Sequence, residues 1–303
     1  MVDVVREDFR SGFCAFVGRP NAGKSTLMNA LVGEKVAITS PAPQTTRRAI
    51  RGIRTTDAGQ LVVVDTPGLH RPRTLLGQRL GDVVRDTMTE VDVVGFCLPS
   101  NEKVGPGDRY IAAAIAELKQ PKVAIVTKTD TMPPRRVAEA LLAASQLGEF
   151  AEVVPVSAVA GEQVDLLGDL LTAQLPTGGL LYPAEVATDD DTETRIAELV
   201  REAALAGARD ELPHSIAVTV EEMIEDTTAR GEPLLRIYAT IHLERSSQKP
   251  IVLGPKGARL KAIGTTSRAD IETLLGRRVH LDLHVAVMAD WQRDPKKLDR
   301  LGF

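Results

Sequence analysis

Short apolar runs alternate along the first half of the chain with stretches whose apolar positions recur at helical spacing. Residues 13–17, 61–64, 91–98, 122–126 and 152–156 are short, largely apolar runs, most of them rich in valine, which predicts buried strands. Residues 49–56 and 60–65 read as a strand pair turned at Asp57, Ala58 and Gly59. Helical spacing covers residues 27–32, about 107–118, 134–147 and 162–174. Strands that are apolar on both faces, alternating with helices, predict an α/β domain with a mostly parallel, doubly wound sheet.

The pattern changes after Pro176, Thr177, Gly178 and Gly179, which end this domain. Residues 183–191 form an acidic connector. From 192 to about 208, Ile196, Leu199, Val200, Ala203 and Ala204 fall on one helical face. Strands follow at 216–226 and 234–243, with a turn at 228–233, then helical signals over 258–275 and an alternating strand at 279–287. Helix, strand, strand, helix, helix, strand is the order of a small α+β domain. The expected division is therefore 1–180, a linker at 181–191, and 192–303.

Composition changes this picture little. The 303 residues, 43% hydrophobic and 26% charged, suit two globular domains. A net charge of −4 points to no polyanion partner by itself. The distribution is more telling. From residue 246 to the end there are 11 Lys/Arg against 6 acids, a basic face hidden by the average. Cys14 and Cys97 lie in apolar runs and read as buried strand residues, neither a disulfide framework nor a zinc site. No apolar stretch is long enough to span a membrane and no secretory signal opens the chain, so the expected location is cytoplasmic.

The chemistry is concentrated in the first domain. Gly18, Arg19, Pro20, Asn21, Ala22, Gly23, Lys24, Ser25 and Thr26 follow a predicted strand and open a helix, the context in which G-x-x-x-x-G-K-[ST] forms a phosphate loop. Glycines let the backbone curl around a phosphate chain, and the helix N-terminus adds positive potential. Lys24 can reach the β- and γ-phosphates, and the Ser25 hydroxyl can sit on Mg²⁺. Residues 36–48 carry two prolines and Thr39, Ser40, Thr45 and Thr46, a loop from which Thr45 or Thr46 could reach the metal and the γ-phosphate. Asp65, Thr66, Pro67 and Gly68 close a buried strand, where a parallel sheet puts its ligands. Asp65 can hold Mg²⁺ through water, and the Gly68 N–H can touch the γ-phosphate.

Thr127, Lys128, Thr129 and Asp130 follow the fifth strand. A carboxylate at Asp130 can accept two N–H bonds from the guanine edge, a donor pair that adenine lacks. The Lys128 stem can lie against the base. Ser157 and Ala158 follow the sixth strand, where a backbone N–H could meet the guanine O6. In the second domain, Gly254, Pro255, Lys256 and Gly257 make a G-x-x-G turn between helices. With Lys249, Arg259 and Lys261 it forms a candidate site for single-stranded nucleic acid. His242, His280 and His284 lie in strands without ligand spacing and read as structural or surface residues.

These ordered motifs resemble those of the translation-factor-like GTPases. The Arg-Pro-Asn of the loop, the Pro-Gln-Thr-Thr-Arg run and Asp-Thr-Pro-Gly-Leu-His are similar to the Era family in particular. The resemblance covers the whole chain, including a tail similar to a type II KH domain with Trp291 after its last strand. It implies GTP hydrolysis and binding of the 3′ end of small-subunit ribosomal RNA in 30S assembly. It also implies peripheral association with the inner face of the cell membrane. The family reading carries a K⁺ ion near Asn21 and, as the expected state, a monomer.

There are departures from the family pattern. Thr127 stands where the family usually has Asn, which predicts weaker nucleotide affinity with guanine selectivity kept by Asp130. Leu69 stands where Ras-like GTPases carry a water-orienting Gln, so hydrolysis must rest on electrostatics, backbone groups and metal. Pro255 removes one N–H from the turn. The GTPase of a tRNA-modification system would share the first half, but its helical modules are absent. An ATP-driven enzyme conflicts with Asp130, and an RNA-binding module with an inactive nucleotide site is the non-enzyme alternative.

Overall fold

The computed structural model describes residues 8–40, 45–68, 74–208, 212, 215–228 and 230–303. It divides into two compact units. In chain order the first runs to Asp189 and the second begins at Asp190.

In the first unit, six strands are β1 (Arg10–Val17), β2 (Ile50–Thr55), β3 (Gly59–Asp65), β4 (Val93–Pro99), β5 (Lys122–Thr127) and β6 (Glu152–Pro155). They form one sheet in the order β2-β3-β1-β4-β5-β6, parallel throughout except for the β2/β3 hairpin. The helices are α1 (Lys24–Val32), α2 (Leu75–Glu90), α3 (Pro106–Ala116), α4 (Pro134–Ser145) and α5 (Val164–Ala173).

Strand alternation sorts the core into two layers. Cys14 and Phe16 of β1 point to the side of α1 and α5, packing with Leu27, Leu31, Leu167 and Leu171. Ala15 and Val17 point to the other side, with Val84 and Met88 of α2, Ile111 and Ile115 of α3, and Ala144 of α4. The doubly wound sheet expected from the apolar runs is the one observed. Both cysteines are buried and free, and burial pushes the Cys97 thiol up to about 12. The sequence reading had not named α2, although Leu76, Leu80, Val84 and Met88 recur every fourth residue along it.

Residues 181–189, expected within a linker, belong to the first unit. The cause is Gln60, a wholly buried amide on β3. Its Oε1 accepts the Leu181 and Tyr182 N–H groups at 2.8 and 2.9 Å, and its Nε2 donates to the Tyr182 carbonyl at 2.9 Å. The Ile53 N–H donates to the Ala187 carbonyl on the outer edge of β2, and Asp189 accepts from Arg51 and from the Tyr182 hydroxyl.

The second unit contains α6 (Thr192–Leu205), β7 (Ile216–Thr227), β8 (Pro233–Leu243), α7 (Lys249–Leu253), α8 (Ala258–Leu275), β9 (Val279–Val287) and α9 (Pro295–Arg300). The sheet order is β7-β8-β9, with β7/β8 antiparallel and β8/β9 parallel. Asp191 caps α6 by accepting from the Thr194 N–H. Trp291, fully buried, stacks on Phe303 with ring centroids 5.5 Å apart. His242 is buried, bonded to Thr219 at 2.8 Å, and burial lowers its pKa; His280 and His284 are exposed. Helix α9, also unread in the sequence, starts at Pro295 behind an Asp294 cap.

Replacing Gln60 by Leu strands the Leu181 and Tyr182 amides and the Tyr182 carbonyl. Urea denaturation should show a loss of about 2–3 kcal/mol, and limited proteolysis should newly cut within 181–189.

Candidate functional site

The phosphate loop leaves β1 at Val17 and enters α1 at Lys24. Asn21 and Gly23 both take left-handed backbone conformations, with φ of 62° and 89°. Two glycines are set by close approach. A Cβ at Gly18 would lie 2.7 Å from the Cys97 carbonyl oxygen, and one at Gly68 would lie 2.7 Å from the Pro20 nitrogen. The Asp65–Gly68 segment therefore rests directly on the loop. Ala22 is buried, and Thr26 lines the cavity described below.

Lys24 is only 6% exposed, with Nζ 3.2 Å from the Arg19 carbonyl and 3.4 Å from that of Gly18. Burial lowers its pKa, and the Asp65 charge works against that. Burial likewise raises the pKa of Asp65, opposed by Lys24 and by hydrogen bonds from Ser25 and Thr46. Asp65 Oδ2 accepts from Ser25 Oγ at 2.5 Å and Thr46 Oγ1 at 2.9 Å, and the two hydroxyls are 3.0 Å apart. Asp65 Oδ1 is buried with no hydrogen-bond partner. An orphaned buried carboxylate oxygen beside two hydroxyls is an oxygen-rich set suited to a hard divalent cation, so these residues fit Mg²⁺. Of the two threonines named in the sequence, Thr46 is the one whose hydroxyl bonds Asp65 and meets Ser25.

Thr66 and Arg19 turn elsewhere. The Thr66 hydroxyl donates to the Phe16 carbonyl at 2.7 Å, and Pro67 is buried, so this pair fixes the strand end. The Arg19 guanidinium meets Asp108 at 2.7 Å and Glu102 at 3.0 Å, on the side of α3. Leu69 lies outside the described residues, as do 41–44 of the hydroxyl-rich loop.

Beside the loop is a cavity of about 170 Å³ lined by Gly23, Thr26, Leu27, Thr127, Lys128, Asp130, Thr131, Val156, Ala158 and Val159. Lys128, with φ of 59°, turns the chain from β5 into the cavity wall. Ser157 Oγ donates to Asp130 Oδ1 at 2.6 Å and accepts from the Ala160 N–H at 3.0 Å, which orients the carboxylate. The Ser157 amide donates to the Glu162 carbonyl at 3.1 Å. Of Ser157 and Ala158, the pair expected to offer a backbone N–H to guanine O6, Ser157 therefore has its N–H engaged. The Thr127 hydroxyl donates to the Ala22 carbonyl at 2.7 Å, tying the cavity to the phosphate loop with one bond. Thr129 opens the short turn that follows, and its N–H lies 3.4 Å from the Val156 carbonyl. Thr131 and Val159 are cavity residues that the sequence reading did not name.

In the second unit, Gly254, Lys256 and Gly257 have positive φ of 69°, 51° and 76°. The turn stands proud between α7 and α8, with Pro255, Lys256 and Lys261 exposed and Lys249 half-buried at the start of α7. Arg259 also has a structural contact. Its guanidinium bonds the Ala204 and Ala206 carbonyls at 3.2 and 3.3 Å, capping the C-terminal end of α6. No helix among the described residues is long and apolar enough to cross a membrane.

Comparison with known proteins places one family match over each region of the chain. The family described as 50S ribosome-binding GTPase matches residues 13–128, and the KH domain family matches 211–292. A GTPase Era of Streptomyces coelicolor is 63% identical over 302 residues, spanning 97% of this chain and 95% of that protein. One of Mycobacterium avium is 57% identical, spanning 98% and 99%. The solved structure of Era with MgGDPNP and nucleotides 1506–1542 of 16S ribosomal RNA superposes with a TM-score of 0.92 at 35% identity, covering 97% of this chain and 99% of that one. A variant of Aquifex aeolicus Era bound to GDP and AlF4− gives the same values. With a phosphate loop, a neighbouring cavity walled in part by Asp130 and a G-x-x-G turn along the chain, and relatives matched over 97–98% of its length, the chain belongs to the Era family of GTPases.

Proposed function

We propose that this protein hydrolyses GTP to GDP and phosphate and uses the nucleotide state to govern binding of the 3′ end of small-subunit ribosomal RNA during 30S assembly. The observation that carries the reading is the pairing of an under-compensated carboxylate, Asp65, with a desolvated ammonium, Lys24, at one glycine-bounded loop. A magnesium–phosphate ligand supplies what each lacks. The match over 97% of the chain to an Era bound to MgGDPNP and a 16S ribosomal RNA segment supports binding of both nucleotide and RNA.

Ser25, Thr46 and Asp65 would hold Mg²⁺, which supplies charge neutralisation on the phosphate oxygens when bound. Lys24 and the backbone N–H groups of the loop would stabilise negative charge on the transferring phosphoryl group, and the Gly68 N–H would meet the γ-phosphate. Asn21 would help hold K⁺ beside the phosphates, as the family resemblance implies. Asp130, oriented by Ser157, accepts the guanine N1–H and amine, and Ala158 donates to O6. Lys249, Lys256 and Lys261 provide the charge around the G-x-x-G backbone for RNA. We read the protein as a cytoplasmic monomer, with the basic tail as the element suited to peripheral contact with the inner face of the membrane.

These roles separate in the tube. GDP at a hundredfold its Kd should raise stability by about 2.7 kcal/mol while ADP does not, read as a thermal shift. Asp130→Asn should raise the KM for GTP at least about 100-fold, since two bonds to a charged acceptor are weakened. A rise of the melting point with ADP equal to that with GDP overturns the guanine assignment. Hydrolysis should run faster in K⁺ than in Na⁺ buffer, and equal rates remove K⁺ from the site.

For RNA, Lys256→Ala and Lys261→Ala should each reduce the slope of log affinity against log salt by about one. Arg259→Met should leave that slope in place and instead lower the stability of the second unit by about 1 kcal/mol through the lost α6 cap, measured by chemical denaturation alongside RNA titration.

A further inference from the structure

Against the phosphate loop, at residues that do not line the base cavity, sits an ion pair with a buried carboxylate that the reading above does not use. Asp108, the third residue of α3, is wholly buried. One carboxylate oxygen accepts from Arg19 Nε at 2.7 Å, and the other accepts from the Gly105 N–H at 2.8 Å, where the helix begins. A single carboxylate thus joins the start of α3 to the second residue of the phosphate loop. Glu102 closes on the same guanidinium at 3.0 Å from the exposed side. Space for the arginine is built in, since a Cβ at Gly107 would lie 2.9 Å from Arg19 Cδ. The carbonyl of Arg19 in turn accepts from Lys24 Nζ at 3.2 Å. The chain of contacts runs from α3 through Arg19 to the ammonium that meets phosphate.

We propose that Asp108 is a positioning residue for nucleotide binding, acting through Arg19 to hold the phosphate loop in its phosphate-ready conformation. The proposal rests on the GTPase reading. A loop with two left-handed residues, Asn21 and Gly23, has conformational freedom to lose on binding. An anchor on its second residue removes part of that freedom beforehand. Asp108 cannot do this by itself touching nucleotide, because its carboxylate is sealed behind Arg19 and the helix end.

Steady-state GTP hydrolysis by the full chain tests the assignment. Arg19→Ala and Asp108→Asn should each raise KM for GTP roughly tenfold, the scale of coupling between contacting residues, with kcat within about twofold, because the loop grips ground and transition states alike. GDP should dissociate correspondingly faster. Arg19→Lys, which keeps the charge but cannot reach Asp108 and Glu102 together, should lie between wild type and Arg19→Ala. The double variant should be no weaker than Arg19→Ala alone, since the two residues act in series. Variants that melt at lower temperature yet keep the wild-type KM and GDP dissociation rate overturn the proposal, and so does additivity in the double variant. If Asp108→Asn does not fold, Arg19→Ala and Arg19→Lys carry the test, and an unchanged KM in both overturns it. An unaltered chain without GTP hydrolysis overturns the GTPase reading instead.

Discussion

Two charges removed from water, the Lys24 ammonium and the Asp65 carboxylate, set the terms for the rest of the first unit. Each is costly where it stands, and each is only partly offset by the other and by neighbouring hydroxyls and carbonyls. The surrounding fold tolerates this because the strands on either side of the site are buried on both faces. Their aliphatic packing supplies the stability that the polar site subtracts. A site left short of both a cation and an anion is poised for a ligand that brings the two together, and affinity is stored as incomplete solvation.

The same logic explains why the loop is braced from several directions. Gly68 lies against Pro20, Thr127 reaches the Ala22 carbonyl, and Arg19 is drawn toward α3. Gly68 follows β3, Thr127 ends β5 and Asp108 opens the helix after β4, so the braces gather beyond the C-terminal ends of parallel strands, where such sheets collect their ligands. The KH-like unit uses other means. Positive-φ residues at 254, 256 and 257 shape its turn, and the local basic excess supplies the attraction.

Much of this was legible in the sequence because the signals are local. The alternation of Cys14, Ala15, Phe16 and Val17 between two faces follows from strand periodicity alone, and the phosphate loop is recognisable from a handful of neighbouring residues. The choice between Thr45 and Thr46 was not legible, since adjacent residues of a loop have no periodicity to separate them. Nor was the Arg19–Asp108 pair, whose members are 89 positions apart and meet only once β4 and α3 are placed. Arg259 counted toward a basic face by composition, yet tertiary structure turns it onto the end of α6. Thr127 showed its lost amide in the sequence, but the bond it keeps, to Ala22, required the fold. The α2 helix was readable from its fourfold spacing and the α9 helix from its Asp-Pro start. Both were overlooked beside stronger motifs.

The amide of Gln60 also bears on how the molecule can be divided. Strand β2 lies at the margin of the six-stranded sheet, and a bare margin is a template for pairing with other chains. Residues 181–189 run past that margin, with the Ala187 carbonyl taking the Ile53 N–H. A GTPase fragment cut where the polar connector first begins would lose this covering and leave a buried amide on β3 without its backbone partners. Such a fragment would be prone to self-association through β2, whereas one carried on to Asp189 keeps its own edge closed.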